Sequence, residues 1–178
     1  MNTVSFVFQN SRLLKASILE NVRLGRASAT REEVLRALDL AQCRDILDKL
    51  PQGMDTVIGA GGTYLSGGEQ QRIAIARVIL QDAPIVLMDE ATAFADPDNE
   101  SKVQAAFANL AQGKTVVMIA HRLSTVRNVD RIYVIRDGTV AEQGTYQDLM
   151  AQNGLFRQMW DNYQTAAQWK VAREEVQA

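Results

Sequence analysis

The sharpest chemical signal in the sequence is the segment Leu65-Ser66-Gly67-Gly68-Glu69. Ser66 and Glu69 have the spacing of a capping box, which predicts a helix whose third residue is Glu69. The first N–H groups of a helix point outward, and the helix dipole favours an anion there. Gly67 and Gly68 leave room for an incoming group, and Ser66 adds a hydroxyl donor. We predict an anion site; the alternative is an ordinary helix start after a glycine-rich loop.

Two adjacent carboxylates, Asp89 and Glu90, end the apolar run Ile85–Met88. Such a run is typical of a strand buried on both faces, and parallel sheets bind ligands beyond the carboxyl ends of their strands. Asp89 is placed to hold Mg²⁺, directly or through water. Glu90 could polarise an attacking water. The alternative is a solvated acidic turn.

His121, the only histidine, directly follows a second apolar run, Val116–Ala120, predicted to be another buried strand. If the two strands are neighbours, His121 faces the same crevice as Asp89. An imidazole there can hydrogen-bond a terminal phosphate and hold a water in line. The alternative is a structural histidine.

The elements that position these residues are predicted from capping and periodicity. Val4–Phe8 is predicted to be a strand that leaves into a loop, and residues 30 to about 81 are predicted to be helical. Thr30 and Glu33 form a second capping box. A short helix is expected to end before Pro51. The apolar positions of these two helices are Val34, Leu35, Leu38 and Ala41, then Ile46, Leu47 and Leu50.

From residue 82 the pattern changes to alternating strands and helices. Asp96-Pro97 predicts a helix start, and Gly113 its end. Asp137-Gly138 predicts a hairpin turn, and a terminal helix is expected from Leu155. The apolar face of the helix after Pro97 comprises Val103, Ala106, Phe107 and Leu110.

The amino-acid composition limits the class of protein to which the chain can belong. The chain has 178 residues, 47% hydrophobic and 22% charged, which is typical of a globular domain. The sequence contains no apolar run near the 20 residues that a membrane span needs. The net charge of −2 gives no support to nucleic-acid binding. With one cysteine, Cys43, no intrachain disulfide can form, which favours a reducing, cytoplasmic setting.

Together these motifs resemble the nucleotide-binding domain of ATP-binding cassette (ABC) transporters. Leu65–Glu69 matches the LSGGE signature, and Ile85–Glu90 resembles the Walker B strand. The resemblance implies that Asp89 coordinates Mg²⁺ and that Glu90 is the catalytic base. It further assigns His121 as the switch histidine, Asp96 as part of the D-loop, and Gln9 as the Q-loop glutamine that contacts Mg²⁺ and senses the membrane domain.

The fold class that the resemblance implies is α/β: a partial, P-loop NTPase-like cassette core with a mostly parallel sheet and an α-helical signature subdomain. Residues 1–29 would hold the Q-loop strand and the start of the coupling segment. Residues 30–81 would form the helical subdomain with the signature. Residues 82–178 would form the C-terminal part of the α/β core and a terminal helix.

The implied cofactors are ATP and Mg²⁺. The implied partners are transmembrane domains and a second nucleotide-binding domain, packed head-to-tail so that each signature closes over ATP on the other domain's Walker A; no nucleic acid is expected. The working location would be the cytoplasmic face of the cell membrane. A cassette protein of DNA repair or translation is a further hypothesis. The exporter-like loop before Leu65 and the absence of a long insertion argue against it.

Two segments indicate the exporter branch. Leu14–Gly25 resembles the exporter segment after the Q-loop, and Thr56–Gly62 resembles the exporter loop before the signature. Both lie where the family meets its transmembrane coupling helices. Ala60 replaces a common glutamate, and Ala93-Phe94 replaces the usual Ser-Ala of the D-loop. These departures affect coupling details rather than family membership.

The sequence contains no Walker A motif, Gly-x-x-x-x-Gly-Lys-[Ser/Thr]. Gly113-Lys114-Thr115 is no substitute, because Ala108 stands where the first glycine belongs and a predicted helix precedes it. We therefore expect an N-terminally truncated cassette that is not a competent ATPase alone, with sheet residues such as Val86 and Val117 poorly covered. The alternative function is a non-catalytic partner or inhibitor that lends only its signature face to a complete cassette.

Overall fold

The computed structural model describes residues 3–8, 12–59, 62–89, 97–120 and 123–176. The chain divides into two compact units, Met1–Ile119 and Ala120–Ala178. Among the helices of the described segments, none combines the length and the hydropathy needed to cross a bilayer.

A parallel sheet organises the first unit. Within the described residues it has three strands, β1 (Val4–Val7), β4 (Ile85–Asp89) and β5 (Thr115–Ile119), with β4 in the centre. A separate antiparallel pair joins the short strands β2 (Ala16–Ser17) and β3 (Val57–Ile58). The parallel sheet with its helices confirms the predicted α/β class.

The prediction that Ile85–Met88 and Val116–Ala120 are strands buried on both faces is wrong. Along β4, Val86 and Met88 are buried, whereas Ile85 and Leu87 are partly exposed. On β5, Val117 is 53% exposed and Ile119 61%. Alternate side chains of a strand point to opposite faces, and only one face of this sheet joins the core. Val117 is poorly covered as expected, but Val86 is fully buried.

Helices pack against the buried face and against one another. They are α1 (Ile18–Arg23), α2 (Arg31–Leu40), α3 (Arg44–Lys49), α4 (Gly67–Gln81) and α5 (Pro97–Ala111). Thr30 caps α2 through the predicted capping box, and α3 ends before Pro51 as expected. The predicted apolar face of α5 is fully in the core. Gly113, at φ +68°, follows the last turn of α5.

Within the described residues, the second unit holds a hairpin, a short 3-10 helix (Leu123–Asn128) and two α-helices. Strands β6 (Ile132–Arg136) and β7 (Thr139–Gly144) pair around Asp137-Gly138, whose positive φ angles of 51° and 76° are those of the predicted tight turn. Helices α6 (Tyr146–Ala151) and α7 (Leu155–Val176) follow. Phe156 and Trp160 of α7 are buried beside Leu149.

Candidate functional site

The signature segment forms the start of α4. The Ser66 hydroxyl accepts a hydrogen bond from the Glu69 N–H at 3.3 Å, and the Glu69 carboxylate accepts one from the Ser66 N–H at 2.9 Å. The predicted capping box is therefore present. It fixes the first turn of a 15-residue helix at the point where the sequence predicts an anion.

The charge of Glu69 at this helix start is compensated. Its carboxylate lies 3.3 Å from the Lys49 ammonium. Burial raises the pKa of Glu69, but hydrogen bonds from Ser66 and Lys49 outweigh burial and lower that pKa below its usual value. Glu69 is thus an anion held by the Lys49 cation and the Ser66 N–H, so its charge does not simply cancel the positive end of the helix dipole.

The two glycines of the signature lie in different surroundings. Gly67 is exposed, whereas Gly68 is buried. The capping box uses the N–H of Glu69, and the Ser66 carbonyl accepts from the N–H of Gln70. The N–H groups of Gly67 and Gly68 come before the first N–H that bonds within the helix, so neither has an acceptor in the helix. Among the described residues none accepts from either of them, and Gly67 is an exposed residue.

The sheet brings the predicted Walker B residue to a shared edge. Strands β1, β4 and β5 are parallel, with Val7 opposite Met88 and Asp89 opposite Ile119. All three carboxyl ends therefore meet at one edge, and the strand before His121 is indeed the neighbour of the strand that ends at Asp89. A carboxylate at such an edge suits a hard cation.

Four predicted site residues, Gln9, Glu90, Asp96 and His121, lie outside the described residues, so their roles stay predictions. Within the described segments no cluster of three acidic, histidine or cysteine side chains forms a metal site. The role of Asp89 in Mg²⁺ binding also stays a prediction. Ala60, Ala93 and Phe94 likewise lie outside the described residues.

The apparent phosphate-loop sequence Gly113-Lys114-Thr115 has a structural role. It connects the end of α5 to β5, the reverse of the strand-to-helix order of a phosphate loop. The Lys114 ammonium bonds the Asp82 carboxylate and the Ala83 carbonyl. Lys114 therefore stabilises the turn before β4.

The two exporter-like segments meet in the structure. Ala16 pairs with Ile58 and Ser17 with Val57, so Leu14–Gly25 and Thr56–Gly62 share one small antiparallel sheet. Gly59, at φ +87°, lies where an added Cβ would be 2.6 Å from the Leu14 carbonyl oxygen. The sequence did not predict this pairing, because two-residue strands carry no periodic signal.

Helix α1 was also missed, although its signal was present. Ser17 and Glu20 form a capping box with the same spacing as Ser66 and Glu69. Asn21 of α1 is fully buried, and its side chain bonds the backbone of Leu14 and Ser17. The spacing of residues alone could not show that the polar residue Asn21 is buried.

The capped signature helix and the parallel sheet edge define a class: part of a mixed α/β ATP-binding cassette with a parallel sheet and helices. A family model described as "ABC transporter" matches residues 1–93, just over half of the 178 residues. The chain therefore belongs to the ABC transporter family, as part of an ATP-binding cassette of the exporter type.

Curated relatives cover most of this chain. The mycobactin import ATP-binding/permease protein IrtA of Mycolicibacterium thermoresistibile is 45% identical over 89% of the chain, which spans 17% of that protein. The β-(1→2)glucan export ATP-binding/permease protein NdvA of Rhizobium johnstonii is 48% identical over 86%, or 26% of its own length. The ATP-dependent lipid A-core flippase of Chromobacterium violaceum is 44% identical over 88%, or 27% of its length.

A solved structure gives the same result in three dimensions. A bacterial Atm1-family ABC exporter with ATP bound superposes with a TM-score of 0.81 at 41% identity, over 90% of this chain and 28% of the exporter chain. The present chain thus spans roughly a quarter or less of the length of these relatives.

Proposed function

We propose that the chain supplies the signature side of a composite ATP site in an exporter-type transporter. The observation that carries this is the first turn of α4, where the capping box holds Ser66 beside Gly67, an exposed residue whose N–H has no partner within the helix. A terminal phosphate bound on another cassette's Walker A would accept hydrogen bonds from these donors. The helix dipole adds to the attraction.

The sheet edge would supply the hydrolytic side when a phosphate is held against it. Asp89 would orient Mg²⁺, together with Gln9. Glu90 would accept a proton from the attacking water, and His121 would hold that water in line. Asp96 would complete the contact between the two cassettes. Mg²⁺, when bound, would neutralise charge that develops on the transferred phosphoryl group.

The partners would be transmembrane domains and a second cassette, with the work done at the cytoplasmic face of the membrane. Leu14, Val57 and Tyr64 are exposed around the β2–β3 pair, the region that the exporter resemblance assigns to coupling. The whole protein would couple Mg-ATP binding and hydrolysis to transport.

The 178-residue chain by itself would not hydrolyse ATP, because no Walker A lysine and loop lie within it to hold the phosphates. Isothermal titration with Mg-ATP should show no binding tighter than millimolar. Sub-millimolar binding by the isolated chain would contradict this proposal.

Capture by a complete cassette tests the signature role directly. A tagged cassette domain of one of the relatives above, with its catalytic glutamate changed to glutamine, should retain this chain in the presence of Mg-ATP but not in its absence. Equal capture with and without ATP would overturn the proposal.

The catalytic assignment needs a longer chain that joins this sequence to a Walker A. In that protein, Glu90→Gln should keep ATP binding and lose nearly all turnover, since the general base is removed. Unchanged turnover would exclude Glu90 from that role.

A non-catalytic partner or inhibitor is the second candidate, favoured by a complete signature in a sequence without Walker A. In that case, adding the chain to an active complete cassette should lower its ATPase rate with saturable dependence on chain concentration. A rise in ATPase rate would favour the first function.

A further inference from the structure

Gly68 of the signature faces a neighbouring helix rather than open space. It is buried, and a Cβ built on it would lie 3.0 Å from Cβ and 3.1 Å from Cγ of Asn99 on α5. Such contacts are closer than side chains normally make. The second glycine of the signature therefore makes room for Asn99.

Asn99 also reaches the next turn of α4. Its side-chain oxygen accepts a hydrogen bond from the Arg72 guanidinium at 3.1 Å. Gly68 and Arg72 are four residues apart, so they lie on the same face of the helix. One side chain of α5 thus contacts two successive turns of α4, beginning at the signature.

Arg72 is the centre of a wider network. It is fully buried, and it donates to the Gln42 carbonyl and, at 2.7 Å, to the Asp45 carboxylate of α3. Asp45 also accepts from the Lys102 ammonium at 2.7 Å. Lys102 lies three residues after Asn99, so α5 holds α4 directly through Asn99 and indirectly through Asp45.

We infer that Asn99 is a positioning residue that fixes the first turn of α4 for phosphate binding. This inference rests on the proposed function, because it assumes that Ser66 and Gly67 meet the phosphate. In this role Asn99 would not touch the nucleotide. It acts by holding Gly68 and Arg72, so that the donors ahead of them keep one orientation and less ordering is needed on binding.

The test measures ATP-dependent capture by the complete cassette described above. Asn99→Ala should weaken the apparent affinity about 5- to 10-fold, the order expected for one lost hydrogen bond and its positioning. Asn99→Asp keeps an acceptor for Arg72 and should restore capture. Should Asn99→Ala fail to fold, Asn99→Leu removes the acceptor for Arg72 with a smaller change in side-chain volume.

Asn109 provides a matched control on the same helix. Its side chain bonds the Leu40 carbonyl of α2 at 2.8 Å, far along α5 from Gly68. Asn109→Ala should lower the melting temperature without weakening capture. If Asn99→Ala and Asn109→Ala change capture equally, the positioning role is overturned.

A double-mutant cycle examines the contact itself. Gly68→Ala should weaken capture because the new methyl group meets Cβ and Cγ of Asn99. Asn99→Ala in the same chain removes Cγ but keeps Cβ, so it should relieve part of that loss. Strictly additive effects would overturn the inference.

A separate variant tests the proposed function independently of the role of Asn99. Gly67→Asp places a negative charge at the proposed phosphate contact and should abolish capture. If it does not, the proposed function itself fails. If Gly67→Asp abolishes capture while Asn99→Ala behaves like Asn109→Ala, only the positioning role fails.

Discussion

At the scale of single residues, Asp45 is a carboxylate whose ionisation stabilises the helices around the signature. Burial raises the pKa of Asp45, but hydrogen bonds and charges from Arg72 and Lys102 outweigh burial and lower that pKa to about 2. In the unfolded chain an aspartate has a pKa of about 3.9. Below that value the unfolded state binds a proton that the folded state does not, so stability falls between about pH 4 and pH 2.

Asp45→Asn should therefore lower the free energy of unfolding at pH 7 and flatten its dependence on pH between 4 and 2. Urea unfolding followed by circular dichroism at several pH values measures both effects. Asp55→Asn is the control: Asp55 pairs with Arg31 at the surface, where solvent screens the pair, so its effect should be smaller. Equal slopes for Asp45→Asn and the unchanged chain would refute the role given to Asp45.

Ser66 and Thr30 form matched caps, one at the signature and one at α2. Replacing either with alanine should cost about 1 kcal/mol in the free energy of unfolding, because each removes one N-cap hydrogen bond. Only Ser66→Ala should also weaken ATP-dependent capture. Unfolding curves and capture affinities of both variants show whether Ser66 contributes to capture beyond capping its helix. An equal loss of capture in Thr30→Ala would mean that Ser66 is only a structural cap.

At the scale of elements, a strand residue caps the terminal helix. The Glu142 carboxylate of β7 accepts hydrogen bonds from the N–H groups of Leu155 and Phe156, the latter at 2.9 Å. A negative charge at a helix start also interacts favourably with the dipole. Glu142 thereby fixes the start of α7, from which Phe156 and Trp160 enter the core of the second unit.

Glu142→Ala should destabilise the second unit by about 1–2 kcal/mol, since it leaves two helix N–H groups unpaired. Near-ultraviolet circular dichroism, which reports the packing of Trp160 against Tyr146 and Phe156, should lose its signal at lower urea. Gln143→Ala, an exposed neighbour on the same strand, should leave the transition unchanged. A midpoint shift no larger than that of the control would contradict the capping role.

Local signals in the sequence predicted the elements best. The capping boxes at Thr30 and Ser66 and the Asp137-Gly138 turn rest on contacts within a few residues, and all three are present. The β2–β3 pair and the Arg72–Asp45–Asn99 network join positions far apart in the sequence, to which no spacing rule applies. For the site, the sequence predicted Ser66, Gly67 and Gly68 as phosphate contacts, and these stay predictions. It did not predict that Gly68 packs against Asn99.

Which strand faces are buried could not be predicted either, because burial also depends on elements far away in the sequence. An apolar run shows that a strand can be buried on both faces, but not that other elements are there to cover it. In β5, Val116 and Met118 pack on the core while Val117 and Ile119 are exposed. The pattern of the strand alone does not distinguish these outcomes.

At the scale of the whole molecule, one face of the β1–β4–β5 sheet exposes apolar side chains among the described residues. Sheet register places Phe6, Leu87 and Val117 side by side, and Phe6 and Phe8 stack at 5.7 Å. An apolar patch of this kind favours association in water.

The isolated chain should therefore self-associate as its concentration rises, through this face. Val117→Thr combined with Ile119→Thr should shift sedimentation velocity profiles toward the monomer, with little change in the free energy of unfolding, because both side chains are already exposed. Val86→Thr is the matched control on the opposite, buried face, where an added hydroxyl should cost about 1–3 kcal/mol of stability. Association that persists unchanged in the Val117/Ile119 double variant would show that another surface carries it.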